Sequence, residues 1–233
     1  MNKKVLALLA VLLAMAPLYA DESAPETEEQ KVLYAIGYVL SRSLMNYDLT
    51  TEHLDIVQQG ILDGVRGIPA KVEIQEYPPK IEDFLAARRA AVVETEQTAG
   101  TAFREKAAAE AGAQVKDSGL IYTEQEAGDG TSPTESDTVK IHYHGTLRDG
   151  AVFDTSRVEG GEPATFALSA VVPCFSEGIR LMRVGGKSKL VCPPEMAYGE
   201  RGFPPMIPPG ATLVFEVELI EIAEGAEAAA PAP

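Results

Sequence analysis

The spacing of the apolar residues changes near residue 112, and this change limits the folds open to the chain. Before it, Leu33, Ile36 and Leu40 recur every three or four residues, which places them on one face of an α-helix. After it, Val139 and Ile141 alternate with polar residues, the pattern of a half-buried β-strand. The sequence therefore predicts an α+β protein whose first half is all-α and whose second half is an antiparallel sheet.

Two helices are predicted before residue 75, and they are too small to close a core alone. The apolar stripe of the first consists of Leu33, Ile36, Leu40, Leu44 and Tyr47. Leu49-Thr50-Thr51 offers an N-cap for the second, whose stripe consists of Leu54, Val57, Ile61 and Val65. A unit of this size needs a further surface to pack against. The stripes are expected to pack on the rest of the chain or on a second copy, and we favour a homodimer.

A third helix is predicted from Pro78-Pro79 to Ala111, with Gly112 ending it. Its richness in Ala, Glu, Arg and Lys favours helix even where it is exposed. We interpret residues 76–112 as a stalk helix between an N-terminal helical domain, residues 21–75, and a C-terminal domain, residues 113–222. Gly100 is the weakest point of the stalk and a candidate hinge.

The second half predicts a small sheet with one short helix against it. Asp149-Gly150 is a hairpin signal after the strand around Val139. Further strands are expected at Thr165–Leu168, Lys187–Cys192 and Leu213–Leu219. The short helix is expected from Pro173 to Met182, with Phe175, Ile179 and Met182 on one face.

The first 20 residues have the pattern of a secretory signal peptide. Lys3 and Lys4 precede an apolar run that is too short to span a bilayer, which needs about 20 apolar residues. Cleavage is expected after Ala20, with cleavage after Ala16 or an uncleaved anchor as alternatives. The mature protein is then expected in the periplasm, at the outer membrane or outside the cell. Residues 223–233, rich in Ala, Pro and Glu, are expected to be a flexible tail.

Charge and composition exclude several function classes. The 35 acidic and 20 basic residues give a formal net charge of −15, which disfavours nucleic-acid binding. His142 and His144 lie two apart on one strand, so both face the same side, and this spacing could bind a metal ion. The alternation of the strand, however, turns that side toward solvent. We therefore expect no metal site and no cofactor.

Aromatic residues are frequent at the inward positions of the predicted sheet, where they usually form core. A functional interpretation gains support from Met206-Ile207, because apolar side chains in a proline-rich loop are an expected contact surface. The aromatic residues concerned are Tyr143, Phe153, Phe166, Phe175, Tyr198 and Phe215.

Three motifs in order carry a resemblance to a known family: VKIHYHGTLRDGAVFDTSR, VVPCFSEGIRLMRVGGKSKLVCPPEMAYGERG and IPPGATLVFEVELIEI. From about Gly119 to Ile222 the chain resembles the FKBP-type peptidyl-prolyl cis–trans isomerase domain. The segment YAIGYVLSRSL, Tyr34 to Leu44, resembles the dimerisation arm of exported isomerases of the macrophage-infectivity-potentiator type. The resemblance implies an FKBP-like antiparallel sheet wrapped on a short helix, preceded by an all-α dimerisation arm and a long stalk helix. It also implies an isomerase that acts on folding exported proteins, and FK506 or rapamycin as inhibitors.

The resemblance also implies a proline-binding pocket. Its catalytic residues are Tyr143, Phe153, Asp154, Tyr198 and Phe215, and its other substrate-binding residues are Val171, Val172, Phe175 and Ile207. Phe175 stands where the family has tryptophan, Cys174 where it has glycine, and Ala164 where it has an aromatic side chain. Phe175, Ala164 and the cleft that two stalks of a dimer would enclose leave a second function open, a dimeric periplasmic holdase chaperone with weak or no isomerase activity.

The two cysteines lie on elements that pack together in the family's topology. Cys174 begins the short helix, and Cys192 shares the inward face of its strand with Leu190. We expect a Cys174–Cys192 disulfide, which would stabilise the fold by roughly 3 kcal/mol through the unfolded state. The alternative is a pair of buried free thiols.

Overall fold

The computed structural model describes residues 24–223. The predicted signal peptide, residues 1–20, lies outside them, and so does the predicted tail apart from Ala223. The chain divides into two units, described up to Leu40 and from Ser41 on. None of the helices between residues 24 and 223 is long and apolar enough to cross a membrane.

The first unit is essentially one helix, α1, which runs from Glu28 to Ser41 and so ends on the first residue of the second unit. Its N-terminus is capped because Gln30 N–H donates to Thr27 Oγ1 at 3.2 Å and Thr27 N–H donates to Gln30 Oε1 at 3.0 Å. No residue of α1 is buried, so its predicted apolar stripe stays exposed within one chain. The expected continuation to Tyr47 is wrong, since Tyr47 belongs to a separate short 3₁₀ turn, Met45–Tyr47.

The second unit begins with two helices at their predicted places. α2 runs from Thr51 to Val65, and Thr50 caps it: Thr50 Oγ1 accepts from His53 N–H while His53 Nδ1 accepts from Thr50 N–H at 3.2 Å. α2 also has no buried residue. α3 runs from Pro78 to Ala108, and at 31 residues it is about 46 Å long. It ends three residues before the predicted limit.

The rest of the second unit is a seven-stranded sheet in which every pairing is antiparallel. The strands lie in the order β1-β2-β6-β7-β3-β4, and β5 also pairs with β3. The short helix α4, Pro173–Arg180, packs on β6 and β7. The strands are β1 Ala113–Val115, β2 Ile121–Glu126, β3 Thr138–Leu147, β4 Val152–Thr155, β5 Ala164–Ala167, β6 Lys187–Cys192 and β7 Leu213–Ala223.

The two faces of the sheet are covered by different helices. Leu190 of β6 and Leu213 of β7 belong to the main core, which also contains Ile179 of α4. Their neighbours Val191 and Val214 point to the opposite face, since successive residues of a strand alternate. There they pack with Ile121 of β2, and the last turns of α3 cover them through Phe103, Ala107 and Ala108.

Gly100 of α3 is a packing position, and its interpretation as a hinge is wrong. It is buried inside a continuous helix. A methyl group on Gly100 would lie 2.5 Å from Thr212 Oγ1, so only glycine lets the helix approach the sheet this closely. Arg104 Nη1 donates to the same Thr212 Oγ1 at 2.7 Å. The second half of α3 is therefore docked on the sheet.

A bidentate ion pair strengthens this docking. The Nε and Nη2 atoms of Arg148 each donate to one carboxylate oxygen of Glu96 at 3.0 Å. Both side chains are largely buried, 28% exposed for Arg148 and 18% for Glu96. The Glu96 hydrogen bond raises the pKa of the Arg148 guanidinium, so Arg148 keeps its positive charge.

Candidate active site

A cavity of about 280 Å³ opens between α4, β3, β4 and β7. It is lined by Tyr143, Phe153, Asp154, Ala170, Val171, Val172, Phe175, Tyr198 and Phe215. Most of this lining is apolar, and the polar groups are two tyrosine hydroxyls, one carboxylate and exposed backbone. Such a site suits a flat, mostly apolar ligand held by a few hydrogen bonds.

Phe175 forms the base of the cavity from the first turn of α4. Its ring is 3% exposed and lies 4.7 Å, centroid to centroid, from the ring of Phe215. Tyr143 and Phe166 approach it edge-on, at 6.0 and 6.2 Å. Phe153 in turn meets Phe215 edge-on at 5.5 Å. Edge-to-face contacts of this kind fix ring orientations, so the base and walls form one rigid cluster.

Tyr143 and Asp154 form the polar wall. Antiparallel pairing of β3 and β4 brings them to the same side, and the Tyr143 hydroxyl donates to Asp154 Oδ2 at 2.5 Å. Burial raises the pKa of Tyr143 well above its usual value, and the hydrogen bond to Asp154 and the charge of that carboxylate raise it further. The proton therefore stays on Tyr143, which acts as the donor of this bond.

Tyr198 lies across the cavity on the loop after β6. Burial raises its pKa, and the nearby Asp154 charge raises it further. Its hydroxyl therefore keeps its proton at neutral pH and is able to donate a hydrogen bond. Its ring also contacts Phe203 at 5.6 Å.

A backbone donor is available beside these side chains. Val172 is the N-cap residue of α4, and its N–H has no hydrogen-bond acceptor within residues 24–223. Pro173 follows at the first helical position, where the lack of an N–H costs nothing.

Eight of the nine residues that the resemblance assigned to the pocket line this cavity; Ile207 does not. Ile207 and Phe203 exchange two backbone hydrogen bonds, of 2.8 and 2.9 Å, and the resulting tight loop turns the Ile207 side chain into the core. Met206 in the same loop stays 37% exposed. Ala170 also lines the cavity, although its small apolar side chain carries no chemical signal beyond its position before Val171. Ala164 only packs against the core cluster.

The two histidines of β3 bond to neighbouring hydroxyl groups. His142 Nδ1 lies 3.2 Å from Ser156 Oγ, and His144 Nδ1 lies 3.1 Å from Thr155 Oγ1. Both side chains are partly buried, so they are less exposed to solvent than the sequence pattern predicted. Within residues 24–223, no three His, Cys, Asp or Glu side chains lie close enough together to hold a metal ion.

The disulfide expected from the resemblance is confirmed. Cys174 and Cys192 are bonded, with their Cα atoms 5.7 Å apart, and neither is exposed. The bond joins the first turn of α4 to the last residue of β6.

Comparison with known families accounts for both halves of the chain. Residues 29–123 match the domain amino terminal to FKBP-type peptidyl-prolyl isomerase, and residues 130–220 match FKBP-type peptidyl-prolyl cis–trans isomerase itself. The chain belongs to the FKBP-type peptidyl-prolyl cis–trans isomerase family. This FKBP-type protein is therefore an enzyme of class EC 5.2.1.8.

Relatives of this FKBP-type isomerase match it over most of their length. FkpA of Escherichia coli strain K12 is 37% identical over 214 residues, which cover 87% of this chain and 78% of FkpA. The outer membrane protein MIP of Legionella longbeachae is 32% identical over 227 residues, covering 94% of this chain and 97% of MIP. The matches span the helical half as well as the sheet.

Solved structures support the same architecture. The crystal structure of FkpA from Escherichia coli matches with a TM-score of 0.64 and 34% identity, covering 87% of this chain and 100% of that one. A peptidyl-prolyl cis–trans isomerase from Pseudomonas syringae matches with a TM-score of 0.53 and 32% identity, covering 57% of this chain and 96% of that one. The predicted combination of a helical N-terminal part and an FKBP-like sheet is confirmed.

Proposed function

We propose that the cavity above Phe175 is the catalytic site, and that it accelerates isomerisation of X-Pro bonds while exported proteins fold. The observation that carries this proposal is the enclosure of one cavity by Phe175, Phe215, Phe153 and the Tyr143–Asp154 pair. Tyr198, Val171 and Val172 complete the site.

The reaction needs no nucleophile. Partial double-bond character of the C–N bond creates a barrier of about 18–20 kcal/mol, and twisting the amide removes that character. The planar amide is the more charge-separated state. A prolyl segment moved from water into this aromatic cavity loses solvation of the planar form, so the twisted transition state is bound better than the ground state.

Two donors fit the carbonyl groups of a bound segment. The Val172 N–H is without an acceptor in residues 24–223. The Tyr198 hydroxyl lines the same cavity and carries a proton at neutral pH, as tyrosine ordinarily does. Hydrogen bonds to the two flanking carbonyls would hold the backbone while the X-Pro bond rotates between them. Holding both ends of the segment in this way uses binding energy to orient the X-Pro bond for rotation.

Asp154 acts through Tyr143. By accepting the hydrogen bond from Tyr143 it fixes the orientation of that hydroxyl, and its negative charge polarises the wall nearest the bound amide. Ile207 supports the site from the core, through the loop that carries Phe203 beside Tyr198.

We further propose that the protein is exported and works as a homodimer. The relatives FkpA and outer membrane protein MIP, and the signal-like sequence of residues 1–20, support export to the periplasm or outer membrane. The apolar stripes of α1 and α2 support the dimer, because Leu33, Ile36 and Ile61 are each at least half exposed in the single chain. Sedimentation equilibrium should give twice the monomer mass, and Ile36→Asp should shift it toward the monomer.

A dimeric holdase chaperone is the second candidate, since Phe175 and Ala164 make the pocket less aromatic than in the family. The family matches favour the isomerase. A chaperone without isomerase activity would suppress the aggregation of an unfolded client protein, while X-Pro bonds would isomerise at their spontaneous rate.

A protease-coupled assay on a Xaa-Pro tetrapeptide tests the proposal. The purified protein should accelerate the cis-to-trans step, and FK506 or rapamycin should block it. Tyr198→Phe, which removes only a hydroxyl group, should lower kcat/KM. Val115→Ala, an exposed position on β1, serves as the matched control and should leave the rate unchanged. Spontaneous rates with the wild-type protein would refute the proposal.

A further inference from the structure

The Cys174–Cys192 disulfide lies directly behind the cavity. Cys174 immediately precedes Phe175, the residue at the base of the cavity, and Val172 lies two residues further back. Both cysteines belong to the same buried cluster as Phe175 and Phe215. The bond therefore attaches the backbone of the cavity base to the sheet.

The first turn of α4 is attached to the sheet by the packing of the Phe175 ring and by this disulfide. The helix is eight residues long, and no side chain caps its N-terminus. Short helices are marginal by themselves and fray at their ends, so α4 depends on tertiary contacts. Its second half has such a contact: a methyl group on Gly178 would lie 2.5 Å from Leu190 Cδ1, which means that the helix backbone presses against β6 there. The disulfide provides the corresponding attachment for the first half.

Cys192, the other residue of the disulfide, lies on the strand next to the one that carries Phe215. Cys192 of β6 pairs with Leu213 of β7, and Leu190 pairs with Phe215. Thus the strand that holds Cys192 is hydrogen-bonded to the strand that holds Phe215. The rings of Phe175 and Phe215 lie 4.7 Å apart, and their backbones are also connected. The connection runs through the disulfide to β6 and through hydrogen bonds from β6 to β7.

We propose that the Cys174–Cys192 disulfide is a positioning element of the active site, which holds the Phe175 ring and the Val172 N–H in register with Phe215. The proposal rests on the assignment of this cavity as the catalytic site. The bond adds a covalent constraint beside the Phe175 ring, which packs against Phe215 at 4.7 Å.

The experiment compares three forms of the full chain at a temperature where each is fully folded by circular dichroism. They are the oxidised wild type, the wild type with both thiols reduced by dithiothreitol and verified by thiol titration, and the variant Cys174→Ala/Cys192→Ala. Reduced protein and double variant should both lose about tenfold in kcat/KM, mainly in kcat, because small displacements of positioning groups cost rate even in a folded protein. Reoxidation of the reduced sample should restore the rate.

Val191→Ala is the matched control. Val191 is equally buried on β6, but it faces α3 on the opposite side of the sheet. It should lower the unfolding temperature without changing kcat/KM.

Three results would overturn the positioning role. One is an unchanged kcat/KM in folded, fully reduced protein. Another is an equal loss of rate in Val191→Ala. The third is loss of all secondary structure in step with reduction, together with a double variant that does not fold, because the bond would then act only as a folding constraint. An oxidised wild type without activity would instead refute the proposed function itself.

Discussion

The Tyr143 hydroxyl donates to Asp154 Oδ2 at 2.5 Å, and both side chains line the cavity. One residue comes from β3 and the other from β4 across the Asp149-Gly150 hairpin. The bond joins a buried phenol to a carboxylate. Leaving either group without a hydrogen-bond partner would cost free energy, and here each is the partner of the other.

Because the two residues act as a unit, we expect removing either to slow the isomerase. Tyr143→Phe and Asp154→Ala should each lower kcat/KM about tenfold, equivalent to roughly 1.4 kcal/mol. The double variant should be about as slow as the slower single variant. Sedimentation should show the same oligomeric state as for the wild type. Unchanged rates, or losses that multiply, would refute the paired role.

The raised pKa of Tyr143 predicts a pH dependence at the alkaline end. In the unfolded chain this tyrosine ionises near pH 10, whereas in the folded chain it ionises only at higher pH. The associated stability is thus fully present below about pH 10 and is lost as pH rises from there toward the folded pKa. Urea unfolding at pH 8 to 11 should show a decline for the wild type that is shallower in Tyr143→Phe. An identical decline in both would show that Tyr143 does not cause it.

The close approach at Gly100 predicts that Gly100→Ala destabilises the protein, although alanine favours helix by about 1 kcal/mol. The new methyl would lie 2.5 Å from Thr212 Oγ1, and Thr212 is fully buried. Overpacking of this kind costs about 1–3 kcal/mol. Thermal unfolding should show a lower midpoint, which the second change Thr212→Ala should partly restore. A higher midpoint for Gly100→Ala alone would favour an exposed helix with no contact to the sheet.

The docking of α3 predicts where the isomerase domain begins as an independent unit. A fragment of residues 90–223 should fold and catalyse, since it keeps Phe103 and Ala107 over Ile121, Val191 and Val214. A fragment of residues 113–223 should bind a hydrophobic dye and unfold at lower temperature, because that patch is uncovered. Equal stability of the two fragments would show that α3 contributes no packing energy.

The Glu96–Arg148 pair predicts a measurable coupling across this interface. A double-mutant cycle with Glu96→Ala and Arg148→Ala should give about 1 kcal/mol, at the upper end for ion pairs with some exposure. The coupling energy from urea unfolding should fall as salt is raised. A coupling near zero at low salt would mean that the pair does not hold the helix in place.

Helix and strand positions followed from local patterns wherever caps or alternation were clear. Thr50 caps α2 as predicted, and Lys187–Cys192 is a strand as expected. The FKBP motifs also identified eight residues that line the cavity. The burial of Ile207 could not be predicted from its neighbours in sequence, because it depends on the backbone pairing of Phe203 and Ile207 within the loop.

By itself, the sequence determined the period of each element, the caps of its helices and the family to which its motifs belong, because these depend on residues close together in the chain. Only the tertiary structure decided the roles of Gly100 and Cys174. Gly100 is a helix-weakening residue in isolation and a close-packing contact once Thr212, 112 positions later, is brought beside it. Cys174 comes close enough to Cys192 to form the disulfide only when α4 packs on β6. The bond depends on distances in space rather than along the chain.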